Sequence, residues 1–86
     1  MNPRVKQVFA NSDFSLKIIF SNNEVKYFNM LPYLNTGVFK ELKNINIFKQ
    51  VKPFHGSIQW PNGQDLCPDT LYLESIPIQI EQLHSK

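Results

Sequence analysis

Eighty-six residues allow one domain, residues 1–86, burying roughly 60–65% of its extended-chain surface on folding. Hydrophobic content of 42%, with seven Phe, three Tyr and one Trp, excludes a disordered chain, and nine basic against seven acidic residues (net charge +2) give no polyanion-binding excess. The single Cys excludes an intramolecular disulfide, and no apolar run approaches the ~18 residues of a membrane span. Met-Asn-Pro-Arg-Val at the start lacks the apolar segment of a secretory signal, so the expectation is a cytoplasmic domain with no membrane contact.

In chain order, Arg4 to Ala10 reads as a strand, followed by the turn formers Asn11-Ser12-Asp13. Phe14 to Phe20 is the clearest strand, with Phe14, Leu16, Ile18 and Phe20 on one face. Ser21-Asn22-Asn23 turns the chain, because Asn tolerates the left-handed region, and Val25 to Asn29 makes a third strand. The three are expected to form an antiparallel meander with Lys17 and Lys26 on its outer face.

Met30 to Gly37, with Pro32, reads as a loop. Val38, Phe39 and Leu42 then fit a 3.6-residue stripe on a short helix, Val38 to Lys43, with Ile45, Ile47 and Phe48 anchoring a second turn. Gln50 to Phe54 suits a fourth strand with His55-Gly56 as its exit.

Ser57 to Leu66 suits a second hairpin in one of two registers. A two-residue Asn62-Gly63 loop would make Pro61 a ladder partner with no N–H to give. A three-residue loop puts Pro61 where its fixed φ is wanted and Gly63 in the left-handed position. It pairs Trp60 with Gln64 and Gln59 with Asp65, turns Ile58, Trp60 and Leu66 inward and leaves Asp65 outside. That register satisfies both turn and core. Pro68 and Asp69 then suit the start of a helix to Ser75, ended by Pro77. In the tail, Ile76, Ile78 and Ile80 alternate with Pro77, Gln79 and Glu81, so it reads as extended. These isoleucines need cover, either on the chain's own sheet or at the edge of another copy or partner.

The run Trp60-Pro61-Asn62-Gly63-x-Asp65-Leu66-Cys67-Pro68-Asp69-Thr70-Leu71-Tyr72 resembles the signature of a bacterial family of short domains of unknown function. A Pro-Arg-Val-x-x-Val opening, a Phe-x-Met-x-Pro-Tyr-Leu segment and a Gly-Val-Phe-x-x-Leu segment extend the resemblance over nearly the whole chain. It implies single small domains. Some members carry a C-terminal helix-turn-helix or have another small protein of unknown function as neighbour. This chain, ending at Lys86, is expected to carry no such extra domain.

For chemistry, Cys67 and His55 are a nucleophile and a base, but no third group orients the His and no oxyanion turn is evident, so Cys67 reads as a small buried apolar residue ahead of a helix. Asp65, Asp69 and Glu74 offer carboxylates, but Asp69 complements a helix N-terminus and Asp65 meets Gln59. His55 and His84 show no zinc-ligand spacing, and the dispersed lysines make no phosphate track. No metal, cofactor or catalytic set is expected, and nucleic-acid binding by this domain alone is not expected.

The resulting reading is an α+β fold: a three-stranded antiparallel meander, a short helix, a second β-hairpin and a short C-terminal helix. Its function class is a non-enzymatic module binding a protein partner or itself, with Trp60, Asn62, Asp65, Asp69 and Tyr72 as candidate binding residues and Ile76, Ile78 and Ile80 as an interaction tail. The alternatives are a small-ligand or metal site near Asp65, Asp69 and Tyr72, and an accessory domain of a transcription-linked system.

Overall fold

The computed structural model describes residues 2–77. Strands β1 (Val5–Ala10), β2 (Ser15–Phe20) and β3 (Val25–Asn29) form the expected antiparallel meander. Leu16, Ile18, Phe20 and Phe28 are buried on its inner face. Phe14 does not belong to β2: its φ of 66° puts it in the left-handed region, where Ser15 N–H and Oγ–H both donate to Asp13 Oδ1. Its ring still reaches the core, 5.1 Å from that of Phe48.

Asn23 (φ 70°) closes the β2–β3 turn, as its tolerance of that region suggests. Phe20 N–H donates to Glu24 C=O at 2.9 Å and Asn23 N–H to Phe20 C=O at 2.8 Å. The chain repeats this turn at Trp60, where Trp60 N–H donates to Gln64 C=O and Gly63 N–H to Trp60 C=O, both at 2.9 Å. Gly63 has φ 96°, Gln59 bridges Asp65, Trp60 is buried and Asp65 is exposed. This is the three-residue register.

Three expectations need correction. Lys26 is not on the outer face: it pairs with Ile18 and is only 7% exposed. Alternation sends either Phe28 and Lys26 inward or Val25, Tyr27 and Asn29, and Phe28 wins by packing beside Leu16. The segment Gly37–Lys43 is a 3-10 helix rather than an α-helix. With three residues per turn, Phe39 and Leu42 share a face while Val38 points away, 67% exposed. A further 3-10 turn, Leu31–Tyr33, lies within the expected loop.

The third concerns strand pairing. After helix α1 (Ile45–Phe48), whose start is capped by the Asn44 side chain, comes β4 (Lys52–Phe54), shorter than Gln50 to Phe54. It pairs antiparallel with β5 (Ser57–Gln59) through the two-residue His55-Gly56 turn, both residues at positive φ (49° and 82°). The two-stranded hairpin is therefore β4–β5, and the Trp60 turn continues from it through one bridge.

Helix α2 (Pro68–Glu74) ends before β6 (Ile76–Pro77), which adds to the free edge of β3, giving the sheet order β1-β2-β3-β6. The core lies between the sheet and the loop-rich layer formed by the 3-10 helices, α1, β5 and α2. Trp60 is central to it, its ring 6.0 Å from Phe48 and its indole N–H donating to Phe48 C=O at 2.8 Å. No helix among the described residues is long and apolar enough to cross a membrane.

Candidate functional site

The Trp60–Tyr72 stretch does not converge on one site. Trp60 is in the core and supports its turn from beneath. Asn62 Nδ2–H donates to Glu41 Oε1 at 2.8 Å, and Gln64 Nε2–H donates to the same oxygen at 2.9 Å and to Val38 C=O at 3.1 Å. These bonds tie the Gly63 turn to the 3-10 helix. Asp69 accepts from Asn2 Nδ2 at 3.1 Å, whereas the Tyr72 hydroxyl donates to Glu24. Asp65, Asp69 and Tyr72 thus have separate surroundings. Among the described residues no three His, Cys, Asp or Glu side chains are grouped to hold a metal ion.

Sequence reasoning missed the cluster around Tyr72. Lys26 Nζ donates to Tyr72 C=O at 2.8 Å and sits 3.7 Å from the Tyr72 ring centre, while that ring meets Phe20 edge-on at 4.9 Å. The Tyr72 hydroxyl bond lowers the pKa of Glu24, helped by the Asn22 amide and the Lys26 charge. The same bond raises that of Tyr72. Only the parity of β3 against β2 could have flagged Lys26 as an inward lysine.

Cys67 corrects another expectation, because it is exposed. It stands just before α2, where the backbone N–H groups of Thr70 and then Asp69 hold the thiol below its ordinary pKa. No side-chain hydrogen bond caps the helix. His55 stacks edge-on against Phe54, with ring centres 4.1 Å apart, and no hydrogen bond joins it to Cys67.

Two surfaces remain as candidates. The first is a groove of about 290 Å³ between the β4–β5 turn and the segment before α2. Ile58, Leu66 and Pro68 make its lining mostly apolar, Phe54 and His55 contribute rings, and Ser57 and Asp65 are its polar members. The second is the outer face of the four-stranded sheet. Phe9 pairs with Lys17, Lys17 with Tyr27 and Tyr27 with Ile76, so one cross-strand row runs over all four strands. Phe9, Tyr27 and Ile76 are 46%, 40% and 64% exposed, and the Lys17 ammonium lies 5.5 Å from the centre of the Phe9 ring. Ile76 therefore starts the tail on the chain's own sheet, whereas Ile78 and Ile80 lie outside the described residues.

Comparison with curated proteins and with solved structures yields no match. One family model, described as "Protein of unknown function (DUF2442)", matches residues 5–77. That span holds every strand and helix described above, and the chain belongs to this family of small domains of unknown function.

Proposed function

We propose that this domain is a non-enzymatic protein-binding module that docks a partner through the outer face of its sheet. The row Phe9–Lys17–Tyr27–Ile76 carries this reading, because three large apolar side chains stay in solvent on one face. The molecule measures 35 × 33 × 18 Å, so the broad side is ample for the ~800 Å² per partner of a standard interface.

Charge selects the partner. The four strands contain no acidic residue, and the exposed row carries Lys17, whereas Lys26 faces inward. A second copy would set one acid-free, lysine-bearing face against another. A partner with an apolar surface and a carboxylate opposite Lys17 is complementary. The free, exposed thiol of Cys67 supports a reducing compartment such as the cytoplasm.

The test is a photo-crosslinker, Tyr27→p-benzoylphenylalanine, in cells, with Gln50→p-benzoylphenylalanine as control. The expected result is an adduct at 27 only. The purified partner should then bind the native chain and lose about tenfold or more in affinity to Lys17→Glu. Equal adducts at both positions, or an adduct of the chain with itself, would overturn the reading.

A further inference from the structure

The groove beside β4 and β5 has chemistry unrelated to the sheet face. Its volume, about 290 Å³, lies at the lower edge of the ~300–1,000 Å³ of small-molecule sites, a size for one long side chain. Most of the lining is apolar, which suits an aliphatic stem. The rings of Phe54 and His55, both lining residues, stand at 82° to each other, and Phe54 is 40% exposed.

The polar members divide cleanly. Ser57 is buried, and its hydroxyl already donates to Leu66 C=O at 2.6 Å. Asp65 joins the Gln59 bridge through its backbone, while its carboxylate is exposed and accepts no hydrogen bond from any described residue. No lysine or arginine lines the groove, and Arg4 packs against Gly56 outside it. The matching group is therefore a cation with a flat face and an apolar stem.

We infer that the groove receives an arginine side chain from a partner protein, with the guanidinium against the Phe54–His55 rings and paired to the Asp65 carboxylate. Guanidinium stacks on aromatic rings and binds a carboxylate through two parallel N–H donors, whereas an ammonium is a compact, strongly hydrated charge. The three-residue turn at Gly63 is what makes this geometry. By fixing Gln59 opposite Asp65, it turns Leu66 inward and leaves Asp65 exposed, and both residues line the groove. This assignment rests on none of the sheet-face residues and stands or falls separately from that docking surface.

The experiment is an amide-resolved NMR titration of the full chain with N-acetyl-arginine amide, beside the N-acetyl amides of lysine and norleucine. The expected result is a saturating shift confined to the amides of Phe54, His55, Asp65 and Leu66, with Tyr27 and Lys17 unmoved. Lysine should bind more weakly and norleucine not saturably. Asp65→Asn should weaken the arginine compound by about tenfold or more while the rest of the spectrum stays native. Should that variant fail to fold, Phe54→Leu, which keeps an apolar wall and removes the ring, is expected to show a comparable loss. No saturation with arginine, equal binding of lysine or norleucine, or undiminished binding by the folded variant would overturn the assignment.

Discussion

Lys26 Nζ donates to the carbonyl oxygen of Tyr72 at 2.8 Å while lying 3.7 Å from the centre of the same residue's ring. One inward lysine thereby satisfies a carbonyl in the last turn of α2, where the helix dipole favours a cation, and fastens that helix to β3. Burial of the ammonium is tolerated because a carbonyl and a π face replace its water.

Lys26→Met should therefore destabilise the fold by about 1–2 kcal/mol, since the stem is kept and the carbonyl contact and cation–π contact are lost. Urea denaturation of both proteins measures this. A variant as stable as the parent would mean that the lysine is no more than an apolar spacer.

The hydrogen bond from Tyr72 to Glu24 predicts a two-sided pH profile. Glu24 has its pKa lowered from 4.5, so its contribution is present above that value and is lost as pH falls through the lower folded value. Tyr72 has its pKa raised from 10.0, so its contribution is present below 10.0 and is lost as pH rises through the higher folded value. Glu24→Gln should flatten the acid limb of a melting-temperature profile, leaving the share of Asp13, whose pKa the Ser15 hydroxyl and N–H lower. An unchanged acid limb would contradict the linkage.

Gly56 and Gly63 separate backbone strain from collision. A Cβ at Gly63 would meet nothing within 4 Å, so Gly63→Ala should cost about 1 kcal/mol from its φ of 96° alone. A Cβ at Gly56 would run into the Arg4 guanidinium as well as adopt φ 82°. Gly56→Ala should therefore cost more, and Arg4→Ala should relieve the excess and leave the strain. Additive losses in the double-mutant cycle would show that Arg4 simply swings away.

The 3-10 geometry of Gly37–Lys43 makes its own prediction. Val38→Ala should change stability by less than about 0.5 kcal/mol, whereas Leu42→Ala should cost about 2–5 kcal/mol. An α-helical stripe would make both substitutions expensive, so comparing the two unfolding midpoints distinguishes the geometries.

The contrast between Gly63 and Lys26 shows where local chemistry ends. Pro61 and Gly63 each tolerate few backbone conformations, so the Trp60 turn, its register, the inward indole and the outward Asp65 were all legible in the chain. Asn23 was legible from its tolerance of the left-handed region, and Leu16, Ile18 and Phe20 from their two-residue alternation. The candidate surfaces were not. The sequence groups Asp65 with Asp69 and Tyr72, yet it lines a groove with Phe54 and His55, formed by segments about ten residues apart.

By itself, then, the sequence determined the meander, the three-residue turns, the start of α2 and the α+β class, because each depends on φ restrictions or on a two-residue period acting within a few positions. Only the tertiary structure decided that Lys26 is buried, that Cys67 is exposed, that β5 pairs with β4, and that Phe9, Lys17, Tyr27 and Ile76 share one open face. Those outcomes depend on which elements compete for the same neighbours, and that competition is settled by packing and by the partners available to each polar group.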